Sequence, residues 1–170
     1  VRHYEPQVTP LAIAEGISKS LAKKVVAAKV DGQWWDLSRP LDHGGKFELV
    51  TRDSADGLEV LRHDTAHVLA QAVQELFPGT QVTIGPTVED GFYYDFYREE
   101  KFSTDDFEAI EKRMREIVDA DLPIVREEMD RDDAIAHFNA IGETFKANII
   151  DDIIPPGEVI TVYRQGDSWK

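Results

Sequence analysis

The sequence predicts an α+β protein built from two units. Helix-like and strand-like patterns follow one another without a regular βαβ order, which favours an α+β fold over a parallel α/β sheet. A polar stretch of small residues separates a short first segment from a longer second one. We therefore expect a first domain at 1–52, a linker at 53–57 and a second domain at 58–170.

The composition is typical of a soluble globular protein. The 170 residues are 42% hydrophobic and 31% charged, with a formal net charge of −14. The sequence contains no apolar run as long as a membrane span and no signal-peptide pattern, so we expect no membrane partner. The absence of cysteine excludes disulfides and cysteine-containing zinc sites within this chain.

The charge is unevenly distributed along the chain. Residues 1–52 have a net charge of +2, whereas residues 53–170 contain eleven basic and twenty-seven acidic residues. Binding along a nucleic-acid backbone needs clustered Lys and Arg to neutralise phosphates. The second segment is therefore a poor general nucleic-acid binder.

The first segment has the pattern of a small β-grasp, or ubiquitin-like, unit. Thr9 and Pro10 form a helix start, with a side-chain cap followed by proline at the first helical position. Asp31-Gly32 lies between two β-rich runs, which is a strong hairpin signal. The predicted elements are an extended segment, a helix and three strands, at 1–5, 10–22, 25–30, 33–37 and 47–50.

The second segment opens with a helix at 57–77 that carries a histidine pair. Its apolar residues recur with a period of about 3.6, as in an amphipathic helix. His63 and His67 are four positions apart, so they lie on one strip of the helix, together with Ala70 and Gln74. This strip borders the apolar face.

The rest of the second segment alternates between strands and helices. The strongest helix starts at a Ser103 cap, with Asp106 three residues later. We expect its buried stripe to contain Phe107, Ile110, Met114, Ile117 and Val118. Further strands are predicted at 81–84, 92–97, 124–129 and 159–164, and further helices at 131–141 and 143–151.

Two imidazoles one turn apart suit several kinds of chemistry. They can bind a metal, relay a proton or hold a water molecule, or they can be surface residues without a role. One alternative is therefore a zinc site at His63 and His67 with two further ligands. Another is a module that positions a nucleic acid without catalysing a reaction.

The residues around the histidine pair resemble the start of the editing domain of threonyl-tRNA synthetases. Three blocks occur in the family's order over about 35 residues, which is far more specific than any single block. The blocks are Arg62-His63 with His67-Val68-Leu69, then Ile84-Gly85-Pro86, then Gly91-Phe92-Tyr93-Tyr94-Asp95. The first segment is similar to the TGS domain that precedes the editing domain in that family.

The resemblance implies a bacterial class II threonine–tRNA ligase whose editing domain hydrolyses mischarged seryl-tRNA(Thr). It assigns catalytic roles to His63, His67 and Lys146, and places Tyr94 in the substrate pocket. Tyr93 and Asp95 are included as candidate substrate-binding residues, although a strand places Tyr93 on the opposite face from Tyr94. His137 is expected to lie outside the site.

The same resemblance implies partners and cofactors. The partners are the 3′ end of tRNA(Thr) and the catalytic and anticodon-binding domains of a homodimeric cytoplasmic parent. ATP, Mg and Zn are expected only in that catalytic core, and no cofactor in this segment. The family's editing site also uses a Cys-x-x-x-His element downstream of the strand at 159–164. We therefore expect this segment to be N-terminal, to lack the end of its editing domain, and to be inactive alone.

Overall fold

The computed structural model describes residues 3–5 and 7–169 and divides the chain into two compact units. The units are Val1–Asp64 and Thr65–Lys170. The division falls inside a long helix, whereas the sequence predicted a boundary in the polar stretch at 53–57. The predicted extended segment at 1–5 lies partly outside the described residues, and residues 3–5 form no strand.

The first unit begins with two short helices where the sequence predicted one. Thr9 caps the first, since its hydroxyl oxygen accepts a hydrogen bond from the Ala12 amide at 3.2 Å. Ser18 is extended and caps the second, accepting from the Leu21 amide at 3.0 Å. A cap in this conformation cannot continue the preceding helix, so the predicted helix is divided. The helices are α1 (Pro10–Ile17) and α2 (Lys19–Ala22).

A three-stranded antiparallel sheet completes the first unit, with the order β2-β1-β3. Asp31 and Gly32 both have positive φ, which fits the tight turn predicted between the first two strands. Trp35 is buried in the core with Ala28 and Val30, whereas Trp34 is 46% exposed, as their alternation requires. The strands are β1 (Val25–Val30), β2 (Gln33–Trp35) and β3 (Phe47–Thr51).

The histidine helix, α3, spans Ala55–Leu76 and starts earlier than predicted. The Ser54 hydroxyl accepts a hydrogen bond from the Gly57 amide at 3.0 Å and donates to the Thr51 carbonyl at 2.7 Å. Serine is a favoured cap because it satisfies an amide that the helix leaves unpaired. Three residues of the predicted linker are therefore helical, which corrects the predicted start.

The second unit contains three further helices and seven strands among its described residues, in three small antiparallel sheets. The helices are α4 (Phe107–Asp119), α5 (Arg131–Ala140) and α6 (Thr144–Ile153), and a short 3₁₀ turn at Thr104–Asp106 precedes α4. The strands are β4 (Gln81–Val82), β5 (Thr87–Val88), β6 (Gly91–Phe92), β7 (Phe96–Tyr97), β8 (Ile124–Asp130), β9 (Val159–Gln165) and β10 (Ser168–Trp169).

The strand predicted at 92–97 is interrupted. Gly91–Phe92 pairs with β5, and Phe96–Tyr97 pairs with β4, so residues 93–95 pass between two sheets. A continuous aromatic run resembles one strand in sequence, but the change of partner bends the chain. Tyr94 therefore lies between two strands, and strand alternation does not set the direction of its side chain.

Helix α4 confirms the predicted cap but not all of the predicted stripe. Ser103 and Asp106 form the reciprocal capping box. Ile110 and Ile117 are buried, and Ile117 packs against α3 residues Val68 and Ala72. Phe107 and Val118, however, are 56% and 62% exposed, because they flank the stripe and no described element covers them.

A second cluster holds α5, α6 and the β8–β9 ribbon together. Phe138, Ala147 and Val162 are each almost fully buried at its centre. Partly buried residues surround them, namely Met129, Ile135, Ile150, Ile160 and Trp169. Within the described residues, no helix combines the length and hydrophobicity needed to cross a membrane.

We predict that Gly57→Ala destabilises the first unit. A Cβ atom at Gly57 would overlap the Thr51 carbonyl, which the Ser54 cap holds in place. Overpacking of this kind costs about 1–3 kcal/mol of unfolding free energy. Urea denaturation of the two proteins measures the loss.

The matched control is Gly16→Ala in α1, where a Cβ atom meets nothing within 4 Å. Alanine there should be neutral or should stabilise by about 0.5–1 kcal/mol. Equal stabilities for Gly57→Ala and the unsubstituted chain would show that the helix start can shift to accommodate a side chain.

Candidate functional site

The structure brings His67 and Tyr94 together in the second unit. Their rings meet edge to face, with centroids 6.5 Å apart, and Tyr94 also stacks on Phe96 at 5.2 Å. Gly85 lies directly against the Tyr94 ring, because any side chain at that position would overlap it. The Ile-Gly-Pro block therefore makes room for this tyrosine.

The Tyr94 hydroxyl is held in its neutral form. Burial raises the pKa of Tyr94 above its usual range, and the negative charge of Glu143 raises it further. A phenol in this state remains a hydrogen-bond donor throughout the neutral pH range. It can therefore donate to an electronegative atom of a bound ligand.

Lys146 lies near the start of α6 and is partly buried. Its ammonium donates a hydrogen bond to the Trp169 carbonyl at 2.9 Å and lies 5.4 Å from the centre of the Phe138 ring. Burial lowers the pKa of Lys146, while the nearby charge of Glu143 raises it. A partly buried lysine with a carboxylate nearby for charge compensation suits electrostatic stabilisation of an anion.

The other residues proposed from the sequence lie in different settings. His63 is exposed on α3 and falls within the first compact unit. Tyr93 is 50% exposed, whereas Tyr94 is partly buried. Asp95 is also exposed, and its backbone pairs with Ile84 and Thr83. In this arrangement Asp95 serves the local backbone turn.

Glu143 is a component of the site that the sequence alone did not indicate. Its carboxylate accepts a hydrogen bond from the Gln74 amide, and its charge acts on both Tyr94 and Lys146. Gln74 was already placed on the histidine strip by helical periodicity. Two features of the sequence could have indicated Glu143: the strip of α3 that carries Gln74, and an acidic residue three positions before Lys146.

A cavity of about 850 Å³ lies beside this group in the second unit. Gln74, Glu143 and Trp169 line it, as do Thr80 and Gln81. His67, Tyr94 and Lys146 do not line it, although Glu143 and Trp169 connect the cavity to Lys146. The sequence-predicted residues His63, His67, Tyr94 and Lys146 therefore lie outside the lining of this particular cavity.

His137 contacts Trp169, the residue whose carbonyl accepts the Lys146 hydrogen bond. Its ring meets the Trp169 ring at 4.5 Å, and the Trp169 carbonyl is the acceptor for Lys146. The His137 Nε2 atom is buried and has no hydrogen-bond partner among the described residues. His137 therefore packs against Trp169 and does not line the cavity described above, and its expected place outside the site stays a prediction.

The described residues 3–5 and 7–169 contain no group of three or more His, Asp or Glu side chains arranged to bind a metal. A metal at His63 and His67 would have two protein ligands from this part of the chain. Structural zinc sites use four ligands and catalytic ones three. The donor set of the described residues therefore does not fit a closed zinc site.

Comparison with known proteins gives one family-model match and several similar ligases. Residues 1–51 match the family model of the TGS domain. The chain is 67% identical to a threonine–tRNA ligase of Hyphomonas neptunium over 97% of its own length, and 62% identical to that of Phenylobacterium zucineum over 99%. The corresponding ligase of Thiobacillus denitrificans is 54% identical over 98% of the chain. The chain spans about a quarter of the length of these relatives.

We predict that Gly85→Ala displaces Tyr94 from His67. The added methyl group overlaps the tyrosine ring, so the ring must move toward solvent. Greater solvation should lower the pKa of Tyr94 toward its usual value, because burial is the main cause of its elevation. NMR titration of the Tyr94 ring carbons measures this change.

The control is Gly91→Ala, where the added Cβ atom has open space. This variant should leave the Tyr94 titration and the His67 ring signals unchanged. An unaltered Tyr94 pKa in folded Gly85→Ala would mean that the backbone at residue 85 moves and the tyrosine does not.

Proposed function

We propose that the chain is the N-terminal segment of a threonine–tRNA ligase. Nearly all of the chain is similar to such ligases, of whose length it spans about a quarter, and residues 1–51 match the TGS family model. The second unit is then the editing domain, which hydrolyses seryl-tRNA(Thr). The parent enzyme attaches threonine to tRNA(Thr) with ATP and acts in the cytoplasm. The proposal is supported most directly by the packing of His67 against Tyr94, close to the charge of Glu143.

The need for editing follows from the chemistry of the two amino acids. Serine differs from threonine by one methyl group, and a contact of that size provides only about 1–3 kcal/mol of discrimination. A synthetase that recognises the threonine hydroxyl therefore also attaches serine. A second site that hydrolyses the wrong ester corrects the error after synthesis.

The residues of the second unit suit ester hydrolysis. The reaction needs a positioned water, an acceptor for its proton and donors for the oxyanion that forms at the carbonyl oxygen when water attacks the carbonyl carbon. His67 is a suitable acceptor for the water or for the terminal ribose hydroxyl. Lys146 and Tyr94 both keep donor hydrogens, so they suit the developing oxyanion or the terminal sugar.

The acidic charge indicates how tRNA is held. With a net charge of −16 over residues 53–170, this region has little capacity to bind a phosphate backbone by itself. We propose that it receives only the 3′ end of tRNA(Thr), while other domains of the parent bind the remainder. The homodimeric state expected of the parent forms part of the same proposal.

We predict that His67→Ala lowers seryl-tRNA(Thr) hydrolysis by about 100-fold or more in the gene product that contains this chain, since general acid–base groups contribute about 10²–10⁴-fold. Affinity for tRNA should change little. Single-turnover deacylation and filter binding measure the two quantities separately.

The segment of residues 1–170 alone should be inactive, because the groups of a hydrolytic site act as a unit.

The matched control is His43→Ala in the first unit, which removes an exposed histidine paired with Asp42. Hydrolysis should be unaffected. If His67→Ala weakens tRNA binding and leaves the hydrolysis rate of bound tRNA unchanged, the second unit is a positioning module and the catalytic assignment is wrong.

We propose that the second unit works without a resident cofactor, and that ATP, Mg and Zn act only in the catalytic core of the parent. Purified segment 1–170 should contain less than one zinc per chain by atomic absorption. EDTA should not change the heat-unfolding midpoint of this segment. Stoichiometric zinc that is lost in His63→Ala and His67→Ala would instead establish the metal-site alternative.

A further inference from the structure

We propose that Glu143 is a positioning residue of the candidate editing site, whose carboxylate is anchored to the histidine helix and supplies the negative charge for Lys146 and Tyr94. The inference rests on the proposed function and identifies how its donor groups are organised. The argument begins with the way in which Glu143 is held.

The backbone of Glu143 is fixed at the turn between α5 and α6. Its amide donates to the Phe138 carbonyl at 2.8 Å, and the preceding Gly142 adopts a positive φ of 84°. Gln81 holds both neighbours, donating to the Gly142 carbonyl at 2.8 Å and accepting from the Thr144 hydroxyl at 3.4 Å. Hydrogen bonds to Glu143 itself and to the residues on either side of it therefore fix its backbone position.

The side chain of Glu143 is anchored separately, to α3. The Gln74 amide donates to its Oε1 atom and also to the Thr80 carbonyl at 3.3 Å. Gln74 follows His67 by seven residues, or about two helical turns, so both occupy one strip of α3. One glutamine thus connects the carboxylate to the helix that carries the histidine.

The second carboxylate oxygen has no such anchor. Glu143 Oε2 is buried and accepts no hydrogen bond from the residues that the structure describes. A buried carboxylate oxygen that accepts no hydrogen bond destabilises the fold. A role of the Glu143 charge in the site would explain why this residue is present despite that cost. The charge of this carboxylate acts on Lys146, three residues later on the adjoining helix, and on Tyr94.

Both interactions favour the protonated form of the partner. Burial alone lowers the pKa of Lys146, and Glu143 opposes that effect. Burial raises the pKa of Tyr94, and Glu143 reinforces it. The carboxylate therefore keeps an ammonium and a phenol as donors at the same site, which is the state that the proposed oxyanion contact needs.

Other ionisable groups surround this cluster and must be considered in any titration. His137 on α5 contacts Trp169, and Arg164 on β9 lies 5.6 Å from the Trp169 ring. Arg164 also forms an ion pair with Glu127 on β8 at 3.3 Å. Glu143 is the group whose charge acts on both Lys146 and Tyr94.

The test is Glu143→Gln, which keeps the shape of the side chain and removes its charge. NMR titration of the Lys146 Nζ and Tyr94 ring signals in segment 1–170 should show both pKa values shifted downward. Gln74→Met keeps the charge but removes the anchor, and should shift both pKa values less. Glu158→Gln, an exposed carboxylate in the loop before β9, is the control and should shift neither.

A merely structural role would lower the unfolding midpoint without moving the two pKa values. Unchanged Lys146 and Tyr94 titrations in a folded Glu143→Gln variant would overturn the proposal. If that variant does not fold, unchanged titrations in folded Gln74→Met would overturn it equally. These measurements need no tRNA, so their failure is distinct from a failure of the proposed function.

The full gene product provides a second readout. If the Lys146 ammonium is required, Glu143→Gln should move the alkaline limb of the seryl-tRNA hydrolysis profile to lower pH, in step with the Lys146 pKa. Glu143→Asp, which restores the charge, should move that limb back toward its original position. A limb that stays in place in Glu143→Gln contradicts the role of Glu143.

Discussion

The partial burial of the Lys146 ammonium is the constraint on which the candidate site depends. A buried cation is costly unless a counter-charge and a hydrogen-bond acceptor compensate for lost hydration. The described structure provides one of each, the Glu143 carboxylate and the Trp169 carbonyl. Each compensating group is in turn held by other contacts, Glu143 by Gln74 and Trp169 by the pairing of β10 with β9. The contacts of the candidate site are thus organised around one charge, while apolar clusters hold the second unit together.

The sequence predicted best where a local rule and the tertiary structure agree. The Thr9 cap, the Asp31-Gly32 turn and the Ser103 capping box depend on neighbouring residues alone, and the structure contains all three. The residue-by-residue burial of α4 was less predictable, since helical periodicity defines a face but not the width that neighbours cover. The interruption of the 92–97 strand depends on a change of strand partner, which no short window of sequence contains.

The candidate site was predictable only in part, for a similar reason. The spacing of the histidines places them on one strip of α3, and the family resemblance singled out Tyr94 and Lys146. The contacts of Glu143 with Gln74 and of His137 with Trp169 join residues far apart in the chain. Gln74 and Glu143, for example, are separated by 69 positions. A single sequence has no pattern that would pair them.

The acceptor for Lys146 is a backbone carbonyl, and this has a consequence for how the site tolerates change. Substitution of the Trp169 side chain leaves that carbonyl in the chain, so sequence drift there does not remove the acceptor. The carbonyl's position depends instead on the register of β10 on β9, in which Trp169 pairs with Arg164. A slip of one residue would move each side chain to the other face of the sheet and turn each carbonyl toward the opposite side of the strand. An insertion or deletion in the turn at 166–167 should therefore harm the site more than any exchange of side chain at 169.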